Sequence, residues 1–197
     1  TTFGTGGLLG LLFNTSPLYP GEGGSLVAMR DVTIQGDVWS AADAIVEGDS
    51  GNVFRLRSGG VLTLARKKAP IAWTLSVEAN AIVRGGDYDQ PTAVYHPEYN
   101  TWAGPVAISN DATLTVHADA GKLLNFTGKV TAPGGGNLTK TGAGTVNLKG
   151  GLSLKQQAAW DNAKGRLQMD SGSGKLRVDG DCALQILFSY GGRLELV

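Results

Sequence analysis

The sequence predicts an all-β protein, a β-solenoid (β-helix) of short strands that turn at glycines, with a β-sandwich as the alternative. Three observations favour this fold class. Glycine supplies 30 of the 197 residues, about twice its ordinary share of roughly 7%. Hydrophobic residues make up 42% of the chain, enough for a buried core. They recur at every second position in short runs, whereas helical periodicity is nearly absent.

The alternating runs indicate strands with one face on a core and the other in solvent. A recurring unit, a glycine or another small residue followed by Leu/Val-x-Leu/Val, begins at residues 60, 112, 144, 151, 174 and 192. Its intervals are irregular, so the repeat is degenerate rather than strict. A narrow stacked core suits strands this short, and a solenoid is therefore favoured over a sandwich.

Three segments depart from this alternating pattern. Residues 1–24 form an apolar N-terminal segment, interpreted as a cap or a donated strand, ahead of a solenoid domain at 25–197. Residues 87–105, rich in tyrosines and acids, are interpreted as a loop inserted between strands. Residues 154–164 contain good helix formers and are the one candidate for a short helix.

Charge and cysteine content exclude several function classes. Lys plus Arg and Asp plus Glu both number 17, so no net field recruits nucleic acid or an anionic membrane. No apolar stretch is long enough to span a bilayer, and we expect no membrane insertion. The single cysteine, Cys182, excludes an intramolecular disulfide. With only His96 and His117 as histidines, the sequence has no metal-ligand spacing, and we expect neither metal nor cofactor.

The inserted loop holds the best candidates for chemistry. Asp87, Asp89 and Glu98 lie near His96 and are the residue types that a glycan-cleaving β-helix uses as acid and base. Aromatic side chains of the same loop could instead stack on a glycan, and these are Tyr88, Tyr95, Tyr99 and Trp102. A solvated loop whose aromatics pack on the stack is the favoured interpretation. We therefore expect no catalytic residue and no enzyme.

The N-terminal apolar run is the more informative interaction candidate. Its hydrophobic side chains are too many to leave in water, and they are Phe3, Leu8, Leu9, Leu11, Leu12 and Phe13. They either fold onto the chain's own core or add as a strand to a neighbouring copy. A solenoid also has open strand edges at its ends, and the alternation continues through residues 193–197. We therefore predict that copies of the chain are its main partners.

Residues 100–150 resemble a known bacterial repeat. The run at 138–150 reads Leu-Thr-Lys-Thr-Gly-Ala-Gly-Thr-Val-Asn-Leu-Lys-Gly, and shorter units at 100–108, 111–116 and 123–130 precede it. This string resembles the autotransporter-associated β-strand repeat, or passenger-associated transport repeat, of large bacterial surface and secreted proteins. The resemblance implies a right-handed β-helix outside the cell, at the cell surface, with a structural rather than catalytic role. Residues 156–163 depart from the pattern.

Within this string the alternation predicts that Leu138, Val146 and Leu148 face the core. Gly142 and Gly144 turn the corner, and Lys140 is expected to project beside the turn. The function favoured by these observations is a structural subunit of an extracellular fibre or surface assembly. The alternatives are an adhesin fragment that binds surface glycans and, less favoured, a polysaccharide-cleaving β-helix.

Overall fold

The computed structural model describes residues 2–3, 25–28, 31–35, 53–57, 59–65, 72–86, 100–155, 164–184 and 186–197. Within these ranges the chain forms strands and turns and no helix. The strands are β1 (Thr2–Phe3), β2 (Ser25–Ala28), β3 (Asp31–Gln35), β4 (Val53–Leu56), β5 (Val61–Ala65), β6 (Thr74–Val77), β7 (Ala81–Gly86), β8 (Thr101–Trp102), β9 (Val106–Ile108), β10 (Thr113–Ala118), β11 (Leu123–Phe126), β12 (Val130–Ala132), β13 (Asn137–Thr141), β14 (Thr145–Leu148), β15 (Leu152–Leu154), β16 (Arg166–Met169), β17 (Lys175–Val178), β18 (Cys182–Ala183), β19 (Ile186–Ser189) and β20 (Arg193–Leu196).

These strands form three open sheets in which the described pairings are parallel. Sheet I has the order β1-β2-β4-β6-β9-β12-β15-β18, sheet II β19-β16-β13-β10-β7-β5-β3, and sheet III β20-β17-β14-β11-β8. From β6 onward the chain visits sheets I, II and III in turn, so three consecutive strands make one rung. A sandwich would pair its strands antiparallel. The predicted solenoid is therefore confirmed.

The rungs differ in length, which accounts for the irregular spacing of the sequence repeat. Val106, Val130 and Leu152 are successive partners in sheet I, separated by 24 and 22 residues. The next partner, Cys182, follows after 30 residues because this interval contains residues 156–163. Strand register is kept in spite of these differences, and the extra residues fall between strands.

The core is built of columns in which one residue per rung stacks on the next. In sheet II, Leu114, Leu138 and Leu167 form one such column and are fully buried. Strands such as β10 and β14 alternate between buried and half-buried positions, as period-2 geometry requires. Leu138, Val146 and Leu148 all face inward, as predicted.

Glycines stand where the corners of successive rungs approach each other closely. A Cβ at Gly128 would lie 2.0 Å from the carbonyl oxygen of Gly104 in the preceding rung. At the corner between β13 and β14, Gly142 has φ of +75°, and a Cβ at Gly144 would lie 2.1 Å from the Asp119 carbonyl oxygen. Both corner glycines of the repeat string therefore have the predicted role, one through its left-handed backbone and one through the contact that a side chain would prevent.

Lys140 differs from its predicted position. Its side chain does not project from the corner but occupies the core column between Val116 and Met169, and it is fully buried. The two-residue period that turns Leu138 inward turns Lys140 inward as well. The amine reaches the carbonyl oxygens of Thr141 and Gly142, which allows a charged side chain to occupy this position.

The other departures concern the two interrupting segments. Leu154, the first residue of the proposed helix, ends strand β15, and residues 156–163 lie outside the described part of the chain. Of the loop proposed at 87–105, residues 87–99 also lie outside it. Thr101 and Trp102 form strand β8 of sheet III, so the end of that segment belongs to the stack.

Candidate functional site at the last rung

The candidate site is the outer side of the rung formed by β18, β19 and β20. Each of these strands is the outermost described strand of its sheet, one in sheet I, one in sheet II and one in sheet III. On its inner side each pairs in parallel with the preceding rung. No other strand in the described ranges pairs with the outer side.

The apolar columns continue into this rung and remain uncovered there. In sheet II, Leu187 continues the column of Leu167, yet Leu187 is 46% exposed whereas Leu167 is fully buried. In sheet III, Leu196 continues the column of Leu148 and Val178 and is 62% exposed. Further large hydrophobic side chains exposed at this end are Phe188, Tyr190 and Val197. Within the described part of the chain, this rung continues the core columns without a further strand to cover them.

The backbone of β20 also has N–H and C=O groups on its outer edge, with which no described strand pairs. The N–H groups of Arg193 and Val197 donate to the carbonyl oxygens of Gly174 and Val178 in the preceding rung, at 3.0 Å each. In a parallel ladder, alternate residues of a strand direct their N–H and C=O groups to opposite neighbours. Leu194 and Leu196 consequently direct theirs to the outer edge, where a further strand can pair.

Near this edge, charged side chains on the outside of the column form ion pairs. Glu195 lies 3.2 Å from the Lys175 amine and 2.9 Å from the Arg193 guanidinium. The Arg166 guanidinium lies 6.0 Å from the centre of the Phe188 ring. An approaching partner therefore meets paired charges at the rim and apolar side chains within it.

The residues predicted to bind glycan are not brought together by the described structure. Tyr88, Tyr95 and Tyr99 lie outside the described residues, as do Asp87, Asp89, His96 and Glu98. Trp102 is fully buried and packs edge to face against Phe54, with ring centroids 6.0 Å apart. An indole enclosed in this way has no face open to a glycan, so Trp102 is a core residue.

The predicted self-assembly residues are described only in part. Phe3 lies in β1, which pairs with β2 of the same chain and forms the first edge of sheet I. Leu8, Leu9, Leu11, Leu12 and Phe13 lie outside the described residues, and their role stays a prediction. Leu187 and Phe188 were missed, although the alternation at 193–197 had indicated an uncovered strand in the same rung.

One groove is also present in the described part of the chain. A shallow, open groove lies between the turn at Gly59 and strands β7 and β10, and its lining includes Asn80, Ile82 and Thr115. Asn80 accepts a hydrogen bond from the Thr113 N–H at 2.9 Å, which links the start of β10 to the residue that precedes β7. Within the described ranges, no group of three His, Cys, Asp or Glu side chains could hold a metal ion. Those ranges also contain no helix long and apolar enough to cross a membrane.

No protein-family model matches the chain, and no curated protein or solved structure matches it significantly.

Proposed function

We propose that this chain is a structural subunit of a bacterial extracellular fibre or surface assembly, in which copies associate head to tail by strand addition. The observation that carries the proposal is the exposed apolar side of the rung formed by β18, β19 and β20, which no strand in the described ranges covers. Core positions that are fully buried in the preceding rung are 46% exposed at Leu187 and 62% exposed at Leu196. The resemblance of residues 100–150 to repeats of bacterial surface proteins supports the extracellular location.

A second copy is the occupant that suits this face. Sheets I and II begin at β1 and β3 and end at β18 and β19, with all strands running in the same direction. The first edge of one copy can therefore continue the last edge of another in the parallel sense. Because the two surfaces are different, the contact is head to tail and repeats without closing.

The N-terminal apolar segment fits this arrangement. Strand β1, which contains Phe3, is the first edge of sheet I, where the last rung of a neighbouring copy would dock. In the proposal, Phe3, Leu8, Leu9, Leu11, Leu12 and Phe13 supply the apolar cover and the added strand for that rung. Main-chain hydrogen bonds then give affinity, and the apolar side chains give register.

The free energies involved indicate that the contact between two copies is weak. Burying an apolar side chain completely contributes about 1.5–3 kcal/mol, and the side chains at this end are already partly covered. Association costs roughly 4–15 kcal/mol. Assembly is therefore expected to depend strongly on concentration and to need both the apolar contacts and the ladder bonds.

Sedimentation velocity and negative-stain electron microscopy over a wide concentration range test the proposal. The wild-type chain is expected to form linear oligomers as its concentration rises. Leu196→Pro removes an outward N–H and an apolar contact without removing a ladder bond to β17, and Leu187→Lys adds a charge to the uncovered column. Both variants are expected to remain monomeric.

Ala107→Lys is the matched control. Ala107 is exposed on the outer face of β9, in the middle of sheet I, so the same charge is added to the side of the column instead of its end. It is expected to assemble like wild type. A wild-type chain that stays monomeric at the highest concentration contradicts the proposal, as does equal assembly of the Leu187→Lys variant.

A further inference from the structure

Three polar side chains form a connected set on the outer face of sheet II. His117 in β10 and Thr141 in β13 are direct partners across the two strands, and the Thr141 hydroxyl lies 2.9 Å from His117 Nδ1. His117 Nε2 lies 3.0 Å from Asp119 Oδ1. In the tautomer that donates from Nε2 to Asp119, Nδ1 accepts the hydrogen of the Thr141 hydroxyl. This order of hydroxyl, imidazole and carboxylate is the one that activates a nucleophile.

The peptide bond immediately before Thr141 has a polarised carbonyl group. The Lys140 carbonyl oxygen accepts a hydrogen bond from the Asp170 N–H at 3.1 Å and a second from the Ser173 hydroxyl at 2.8 Å. Ser173 is buried, so little solvent competes for its hydroxyl. Two fixed donors on one carbonyl oxygen stabilise the negative charge that develops there when a nucleophile adds to the carbon.

We propose that Thr141 is the nucleophile in a self-cleavage of the peptide bond between Lys140 and Thr141. The Thr141 hydroxyl oxygen adds to the Lys140 carbonyl carbon and closes a five-membered ring, while His117 Nδ1 takes the hydroxyl proton. The C–N bond then breaks as His117 returns that proton to the Thr141 nitrogen. The two parts of the chain are now joined by an ester.

Water completes the reaction by hydrolysing the ester. Its oxygen adds to the Lys140 carbonyl carbon, and the bond from that carbon to the Thr141 oxygen breaks. The products are a chain that ends in the Lys140 carboxylate and a chain that begins with the free amine of Thr141, whose hydroxyl is restored. His117 is partly exposed on the outer face, which gives water access to this side of the strand.

Thr141 differs in its surroundings from a neighbouring threonine that serves as a control. Thr139 lies two residues earlier on the same outer face of β13, but its cross-strand partners are Thr115 and Gln168. Strand β13 is held between β10 and β16. The two products are therefore expected to stay together in the folded stack, and cleavage becomes visible only after denaturation.

Intact-mass measurement of the purified full-length chain, denatured after incubation with and without hydroxylamine, tests the proposal. The expected products span residues 1–140 and 141–197. Hydroxylamine attacks the ester, so it should raise their yield several-fold and leave a hydroxamate on Lys140. Thr141→Val should abolish cleavage, and Thr141→Ser should retain it. Loss of the base in His117→Asn should slow it about 100-fold or more.

The controls separate chemistry from misfolding. Thr139→Val should cleave like wild type, and circular dichroism should show the same β-sheet content for all variants. A folded wild-type chain that stays intact and forms no hydroxamate over several days overturns the proposal. Cleavage at an equal rate in Thr141→Val also overturns it, because the hydroxyl would then have no part in the reaction.

Discussion

Lys140 occupies the core column of Val116, one rung further along sheet II, and both side chains are fully buried. The Lys140 amine donates hydrogen bonds to the carbonyl oxygens of Thr141 and Gly142, at 2.7 and 2.6 Å. Burial lowers the pKa of Lys140 from its ordinary 10.5 to about 8. A pKa lowered by burial means that the folded state holds the ammonium form at a cost relative to the unfolded chain.

Replacing this amine with an apolar side chain is expected to stabilise the protein. Lys140→Met should raise the free energy of unfolding at pH 7 by about 1–3 kcal/mol, because it removes the cost of burying a charge in a column that already contains Met169. Urea denaturation measures the difference. A variant less stable than wild type would show that the two corner hydrogen bonds outweigh the burial cost.

The same lysine makes stability depend on alkaline pH. Between pH 8 and about 10.5 the unfolded chain binds a proton at Lys140 that the folded chain has released, so wild-type stability rises with pH in this window. The advantage of Lys140→Met should therefore shrink from pH 8 to pH 10.5. Urea midpoints of the two proteins, measured side by side at each pH, test this. A constant difference contradicts the lowered pKa.

The corner glycines should be intolerant of even a methyl group where rungs touch. In Gly128→Ala the new Cβ would lie 2.0 Å from a backbone oxygen that cannot move independently, and we expect a loss of about 3 kcal/mol or more. Gly121→Ala is the matched control. Gly121 has φ of +73° but open space around it, so a loss of about 1–2 kcal/mol is expected. Similar losses for both variants would contradict a role for close approach.

Truncation of leucines in one column should separate stability from assembly. Leu167→Ala leaves a cavity in the covered core and should cost about 2–5 kcal/mol in unfolding free energy. Leu187→Ala, one rung later, should cost under about 1 kcal/mol in the monomer because that side chain is already half exposed. Its effect should appear in sedimentation as weaker association. A large stability loss at Leu187 would indicate that the last rung is covered within the chain.

Glu78 contributes to stability in an acid-dependent way. Burial acts to raise its pKa, but the hydrogen bonds and charges of Arg55 and Arg57 outweigh this and hold the pKa below its ordinary 4.5. The contribution is thus present above pH 4.5 and is lost as the pH falls through the lowered pKa. Glu78→Gln should cost less than about 1 kcal/mol at pH 7, since the pair is partly exposed. The difference should shrink as the pH falls below 4.5, as followed by urea denaturation.

Much of the fold could be predicted because it follows from local alternation. Leu138, Val146 and Leu148 face inward because a strand turns every second side chain to one side. The same rule places Lys140 inward, but its charge suggested an exposed position. The sequence indicates a surface loop at Trp102 because this residue follows a polar, aromatic stretch. A two-residue strand such as β8 has too few residues to show alternation.

The contacts on which the functional proposals depend could not be predicted from the local alternation of the sequence. His117 and Thr141 are 24 residues apart, and they meet only because β10 and β13 pair in one particular register. The exposure of Leu187 likewise depends on its rung being the last described in sheet II, since Leu167 occupies the equivalent position in the preceding rung and is buried.

By itself the sequence determined the strand period, the glycine corners and the core-facing residues of most strands, because these depend on neighbours a few positions away. The tertiary structure alone decided which residues of successive rungs lie side by side. The physical reason is that the corners vary in length from rung to rung. The length of each corner sets the strand register, and the register decides which distant side chains come into contact.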